Sequence, residues 1–333
     1  MSEFTNRALQ VQSLEDNYAG CQLVELPMPV PQGNELCVRI KAATLGFPDL
    51  LMTKGAYQHK PDLPFVSGTE VAGEVVAIGE TVQGFQIGDR VVTGKMGGGF
   101  AQYGCYDAGS ARPLPQNMTY ATGAALGSAY LTAYVSLVRR AQLEAGEWLL
   151  VHGAAGGVGL AAIDLAKQLG ARVIAASPSQ EKLDKIASLY DVDAVVNMTG
   201  GFREQVKEIT QGKGADVIYD PVGGDVFDES TRCIAFGGRL LVVGFASGRI
   251  PQISVNMPLI KGYGVIGVRA GEFGRRYPEK GRENLQMIWD MAEKGLINPH
   301  VCAELPLSAW RDAFDMMSDR AIIGRLIINP QLS

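Results

Sequence analysis

Thiols and imidazoles are scarce in this chain. Its 333 residues include five cysteines and three histidines, and no Cys-x-x-Cys occurs anywhere. An odd number of scattered thiols suits reduced cysteines in a cytoplasm better than a disulfide framework. A catalytic zinc needs three protein ligands, usually Cys or His, and a structural zinc needs four closely spaced donors. Neither set is at hand. His152 closes an apolar strand, where packing is the natural role, and His59 and His300 sit among prolines in loop-like sequence. With a formal net charge of −5 and no basic run, the chain does not read as nucleic-acid binding. No stretch reaches the ~18–20 uninterrupted apolar residues of a membrane span. The opening Met-Ser-Glu-Phe-Thr-Asn-Arg lacks the apolar core of a secretion signal, so a cytoplasmic location is expected.

What is there is ordinary globular composition, 47% hydrophobic and 20% charged, in a chain long enough for two domains. Residues 148–159, Trp-Leu-Leu-Val-His-Gly-Ala-Ala-Gly-Gly-Val-Gly, run from an apolar strand into a glycine-rich turn. A helix-like stretch (160–169) and a second strand (172–176) follow. That succession is the context in which such a turn holds a dinucleotide, and without it the same glycines would make only a tight turn. Gly156 and Gly159 let backbone approach a pyrophosphate and let the helix sit close to the sheet. The amides opening the helix then face the phosphates, with Ala155, Gly156, Gly157 and Val158 as the candidate contacts. Ala154 stands where the strict Gly-x-Gly-x-x-Gly has its first glycine.

The second strand bears on which nucleotide. An NAD site usually carries an acid at this strand's end to accept from the ribose 2′-OH. Here the strand ends Ala175-Ala176-Ser177-Pro178-Ser179, with Lys182 just beyond. Hydroxyls and a cation suit a 2′-phosphate, so Ser177, Ser179 and Lys182 point to NADPH. A solvated helix face of mixed charge is the alternative, and Glu181 keeps it open. Lys185 reads as surface.

The first 120 or so residues read as β-rich, with strands at 36–42 and 71–78 broken by Pro and Gly. Helical periodicity appears at 120–140. From 173 onward strands (173–176, 194–197, 216–220, 239–245) alternate with helices (180–189, 202–210, 226–234). Alternation of this kind implies a parallel sheet with crossover helices. A strand at 264–268, helices at 284–294 and 308–318 and a strand at 325–328 complete the chain. The expected class is α/β: a doubly wound Rossmann sheet inserted into a β-rich domain.

Three stretches carry a family resemblance: 49–57 (Asp-Leu-Leu-Met-Thr-Lys-Gly-Ala-Tyr), 63–73 (Leu-Pro-Phe-Val-Ser-Gly-Thr-Glu-Val-Ala-Gly) and 82–92 (Val-Gln-Gly-Phe-Gln-Ile-Gly-Asp-Arg-Val-Val). With the turn at 152–159 they resemble the medium-chain dehydrogenase/reductase superfamily, in its zinc-free NADPH:quinone oxidoreductase (zeta-crystallin-like) branch. The resemblance implies a GroES-like catalytic domain at 1–123, a Rossmann NADPH-binding domain at 124–264 and a return segment at 265–333. Zinc-dependent members carry Gly-His-Glu where this chain has Gly68-Thr69-Glu70, so the imidazole is gone.

Without a metal to polarise an alcohol, hydride transfer to a quinone or an activated C=C bond is the less demanding chemistry. The protein then orients the nicotinamide, shapes an apolar slot and stabilises a developing enolate oxygen. Relatives often have an Asn shortly before Asp49 and a Tyr soon after. Here Gly46 and Leu50-Leu51-Met52 stand there. Tyr57 is the leading donor, with Lys54 as electrostatic helper. A Tyr57 that merely caps apolar surface is the alternative. The resemblance also implies Thr132 beneath the nicotinamide, Gly244 and Phe245 beside it, Arg325 towards the phosphates, and a homodimer paired through the sheet edge at 264–268.

Three rivals stand beside this reading. An enoyl thioester or acrylate reductase shares the chemistry, and Arg269, Arg275 and Arg276 would then form a basic entrance. A non-catalytic NADPH-binding or sensing protein fits the missing Asn and Tyr. A carbonyl reductase lacks both the metal and the Tyr-x-x-x-Lys pair.

Overall fold

The short alternating segments up to Pro113 form eight strands in the computed structural model, which describes residues 5–332. They are β1 (Thr5–Val11), β2 (Cys21–Pro27), β3 (Glu35–Leu45), β4 (Phe65–Val66), β5 (Glu70–Ile78), β6 (Arg90–Gly94), β7 (Tyr103–Asp107) and β8 (Arg112–Pro113). Between β3 and β4 lies helix α1 (Phe47–Thr53), and after β8 comes helix α2 (Tyr120–Tyr134). The long β3 is the spine. One edge pairs antiparallel with β5, and the other pairs first with β7 and then with β16 (Arg325–Asn329), a strand returning from the far end of the chain. Strand β16 also pairs parallel with β15 (Val301–Pro306). Its register sets Thr44 opposite Glu70 and Leu45 opposite Leu326. Leu9, Val38, Ile40, Phe100 and Phe314 fill the core beneath.

The alternating region forms six strands: β9 (Trp148–Val151), β10 (Arg172–Ser177), β11 (Ala194–Asn197), β12 (Ala215–Asp220), β13 (Ile234–Val242) and β14 (Gly264–Gly267). All pair parallel, in the order β11-β10-β9-β12-β13-β14. Numbered from the first, that is 3-2-1-4-5-6, the doubly wound arrangement with its switch point beside β9. Helix α3 (Gly157–Gln168) links β9 to β10, and α4 (Gln180–Leu189) links β10 to β11. Apolar strands buried on both faces give a core of Leu150, Ile174, Val196, Ile218 and Leu240.

Two compact units result: Met1–Gly127 with His300–Ser333, and Ser128–Pro299. The return therefore begins at 300, not at the expected 265. Residues 265–299 stay with the parallel sheet for identifiable reasons. Strand β14 pairs with β13, Arg139 bonds Glu283 and Asn284, and the Asn298 amide donates to Asp164. The helix expected at 226–234 ends at Ser230, and β13 already starts at Ile234. Short apolar runs fit either period.

Helix α2 continues into a π-helical turn, Val135–Arg140. The 21 residues Tyr120–Arg140 have the length and apolarity of a membrane span, yet 61% of the most apolar window is buried within the protein. It is a core helix.

Candidate functional site

The glycine turn is shaped by close backbone contacts. Gly153 has φ +57, a left-handed conformation that disfavours a side chain. A Cβ at Gly159 would fall 2.3 Å from the Gly153 oxygen and 3.0 Å from Ala154 Cα. Only glycine lets α3 lie this close to the strand end. At Gly156 an added Cβ would meet just the Gly153 oxygen, at 3.3 Å. Gly156 is the N-cap of α3 and brings no side chain to its first amides. Those amides have no partner inside the helix, and with the helix dipole they favour an anion. Ala155, Gly156, Gly157 and Val158 thus lie together at one helix start, with Gly156 to Val158 half-exposed.

At the end of β10, Ser177 is buried, and its Oγ accepts the Ser179 amide at 3.3 Å. Ser179 is the N-cap of α4, its Oγ accepting the Lys182 amide. The serines therefore build the turn, and Lys182, half-exposed, stands in the first turn of α4. No carboxylate occupies the strand end.

Beyond the switch point, Asp220 closes β12. It is buried, and its Oδ1 accepts from Val222 and Gly223 at 2.8 and 2.9 Å. Burial raises its pKa against those two amides. The aspartate holds the turn onto which Gly244 and Phe245 pack: a Cβ at Gly244 would meet the Pro221 oxygen at 3.1 Å, and one at Gly223 would meet the Phe245 ring at 3.0 Å. Phe245 is exposed and so is not a core residue. Thr132 is half-buried in α2, and its carbonyl accepts the Ser136 hydroxyl at 2.6 Å.

His152 packs, as expected of it. Its Nε2 lies 2.8 Å from Ser230 Oγ, which itself donates to the Val226 carbonyl, so the imidazole is the donor. Its ring stands edge-on to Phe202, and full burial pushes its pKa down to about 3. A second buried polar group escaped the sequence reading. Asp164, inside α3, accepts from the Tyr130 hydroxyl at 2.5 Å and the Asn298 amide at 2.7 Å, both on Oδ2. Burial raises it to about 6.

In the other unit, Arg325 lies inside the protein. Its Nη2 donates to Glu70 Oε2 at 2.8 Å. The strand register dictates this, because Arg325 precedes the residue opposite Leu45 while Glu70 lies opposite Thr44. One guanidinium nitrogen of Arg325 is thereby held by an internal carboxylate. Gly127 leaves room for that carboxylate, since a Cβ there would fall 2.2 Å from Oε1. Asp49 joins the cluster from the start of α1, accepting the Gly46 amide at 2.8 Å. Burial, aided by Glu70 and opposed by Arg325, raises Asp49 to about 7.

Tyr57 and Lys54 follow α1 but are placed differently. Tyr57 is half-buried against the core of its unit. Lys54 is exposed on the wall of a cavity of about 400 Å³, with Asp16, Tyr18, Phe47 and Arg320, and Tyr57 is not on that wall. Arg275 and Arg276 both bond Glu272, which offsets one of the three positive charges of the basic entrance a thioester reductase would want. Among the described residues no three His, Cys, Asp or Glu side chains converge as metal ligands.

Comparison with known proteins agrees with this architecture. Residues 32–137 match the family model for the alcohol dehydrogenase GroES-like domain, and residues 157–289 match that named zinc-binding dehydrogenase. A quinone oxidoreductase-like protein 2 homolog from Nematostella vectensis is 38% identical over 300 residues, covering 89% of this chain and 82% of that one. A probable oxidoreductase from Mycobacterium abscessus superposes with a TM-score of 0.88 at 35% identity, over 99% of this chain and all of its own. A mycobacterial protein solved in complex with NADPH gives a TM-score of 0.87 at 28% identity, over 97% of this chain and all of its own.

Proposed function

Since this chain belongs to the medium-chain dehydrogenase/reductase superfamily, among its quinone oxidoreductase-like members, we propose that it is an NADPH-dependent reductase of quinones or of activated C=C bonds such as enones. The observation that carries the reading is the uncapped start of α3 beside a β10 that ends in serines and not in a carboxylate. Bound nicotinamide nucleotide supplies the hydride. The chain's part is to hold it: the amides of Ala155, Gly157 and Val158 on the pyrophosphate, Ser177, Ser179 and Lys182 at the 2′-phosphate, Gly244 and Phe245 along the strand ends, and Thr132 at the carboxamide. Gly156, whose own amide donates to the Gly153 carbonyl, gives the backbone close approach. The NADPH complex of the mycobacterial relative supports the choice of nucleotide.

The reaction proceeds without zinc in this reading. Thr69 replaces the imidazole of zinc-dependent relatives, and the neighbouring Asp49 and Glu70 are engaged with Gly46 and Arg325. Tyr57 remains the proposed hydrogen-bond donor to the substrate oxygen, with Lys54 nearby in sequence. The chain acts as a homodimer joined along β14, the edge of its sheet. Around that edge Val265, Phe236, Leu259 and Ile260 expose apolar surface that a second copy would cover. Five free thiols accord with a cytoplasmic location.

The test is oxidation of NADPH followed at 340 nm against a quinone, a small enone, an acrylate and an enoyl thioester. Turnover of the quinone or the enone, retained after exhaustive chelation, is the expected result. Firm NADPH binding with no turnover of any of the four would leave a binding protein. Turnover of the thioester alone would move the assignment to that class.

A further inference from the structure

Two of the five scattered cysteines meet across a pair of strands. In the unbroken antiparallel register of β3 and β7, Cys37 stands directly opposite Cys105. Flanking bonds fix the phase of the ladder: Ile40 N–H donates to the Gln102 carbonyl at 2.9 Å, and Ala108 N–H to the Asn34 carbonyl at 2.8 Å. Counting inward from either end in steps of two makes Leu36 and Val38 hydrogen-bonded positions and Cys37 a non-hydrogen-bonded one. At such positions opposed α-carbons approach to about 4.5 Å, inside the span a disulfide bridges.

We propose that Cys37 and Cys105 form a reversible peroxide-responsive pair, in which Cys105 is attacked first and Cys37 resolves it into a cross-strand disulfide. Cys105 is half-exposed, while Cys37 is buried. The Cys37 thiol donates to the Pro29 carbonyl, at 3.6 Å. Interaction with the neighbouring Cys37 thiol, opposed by burial and Glu35 and aided by the Lys95 ammonium, holds the Cys105 pKa below the usual thiol value, while the same interaction and burial raise Cys37. Lys95 is itself fixed, its Nζ donating to the Cys105 carbonyl at 2.7 Å. Thiolate character with partial exposure is what selects a cysteine for oxidation.

The chemistry closes with hydrogen peroxide as the oxidant. The Cys105 thiolate attacks one peroxide oxygen, the O–O bond breaks, and Cys105 sulfenic acid forms as hydroxide leaves. That hydroxide takes the Cys37 proton and departs as water. The Cys37 sulfur then attacks the Cys105 sulfur, the S–O bond breaks, and its oxygen leaves as hydroxide, protonated by solvent to a second water. The two thiols lose two electrons in all, and an external dithiol returns them.

The full chain treated with stoichiometric peroxide should lose the mass of two hydrogens, and alkylation after unfolding should then label three cysteines instead of five. Its peptide map should join the Cys37 and Cys105 peptides, and dithiothreitol should separate them. Cys37→Ser should leave a sulfenic acid on Cys105 that dimedone traps, and Cys105→Ser should leave Cys37 unmodified. Where Cys37→Ser does not fold, brief peroxide exposure of the unaltered chain with dimedone present gives the same readout. A dimedone adduct on Cys37, or Cys105 passing to sulfinic acid with no joined peptide, would overturn the proposal.

Discussion

Arg325 and Glu70 lie 255 residues apart in the chain and 2.8 Å apart in the fold, an ion pair whose side chains are 10% and 19% exposed. Breaking one side of a buried pair strands the other charge and costs about 3–5 kcal/mol, whereas replacing both partners by neutral groups of similar size is often nearly neutral. Arg325→Met should therefore lower the chemical-denaturation midpoint strongly, and Arg325→Met combined with Glu70→Gln should recover much of the loss. NADPH affinity of the folded variants should be unchanged. A selective loss of NADPH over NADH binding in Arg325→Met would return this arginine to the phosphates.

The same pair marks where sequence reading stops. The parallel sheet was legible because each strand and helix keeps its own period: α4 and β11 fall at 180–189 and 194–197, the limits read from sequence. The phosphate turn was legible because its glycines act locally. Glu70 and Asp49 each stood in a quoted stretch and Arg325 opened an expected strand, but their meeting depends on β3 pairing with both β5 and β16, which no local pattern encodes. Asp164 carried no local signal of its partners, because Tyr130 and Asn298 are distant in sequence. Cys37 and Cys105 counted as scattered thiols until the register of β3 and β7 set them opposite each other. Buried charge was the available signal, since an unpaired Asp or Glu in an apolar stretch is rare.

Gly159 and Gly156 separate packing from binding. Gly159→Ala forces a Cβ against the Gly153 oxygen at 2.3 Å, backbone against backbone, with no side chain free to yield. We expect about 1–3 kcal/mol of destabilisation together with weakened nucleotide binding. Gly156→Ala meets one atom at 3.3 Å and should keep most of the stability. Any loss of NADPH affinity in that variant then reports on backbone approach to the nucleotide. Thermal melts with and without NADPH distinguish the two, and equal melting points for both variants would contradict the packing argument.

His152 and Asp164 make opposite contributions to stability as pH changes. The His152 pKa is held down at about 3 by burial, so its stabilisation is complete above its unfolded value near 6.5 and is lost as pH falls towards 3. Asp164 is raised by burial to about 6, so its stabilisation is complete below its unfolded value of 3.8 and is lost as pH rises through 6. Asp164→Asn keeps an acceptor for both Tyr130 and Asn298. Relative to the parent its stability should therefore climb between pH 4 and 6 and level off, by about 3 kcal/mol in total. His152→Gln keeps a donor for Ser230 and should gain on the parent as pH falls below 6.5. Urea denaturation at four pH values reads both differences, and parallel curves for parent and variants would refute the burial argument.

Lys182 offers the sharpest test of nucleotide choice, because the serines around it are occupied in building the turn. Ser179 caps α4 through the Lys182 amide, and the Ser177 oxygen accepts from Ser179, so neither can be removed without disturbing the turn. Lys182 stands in the first turn of α4 and contributes its charge independently of the cap, so Lys182→Ala leaves the backbone as it is. A hydrogen bond to a charged group contributes about 1.5–3 kcal/mol, so NADPH should bind roughly 10- to 100-fold more weakly while NADH is unaffected. Lys182→Glu should go further and favour NADH, since a carboxylate there repels the 2′-phosphate and can accept from a ribose hydroxyl. Fluorescence titration of both nucleotides against the three proteins decides the matter, and equal losses for NADH and NADPH would place Lys182 in the fold of α4 and not at the phosphate.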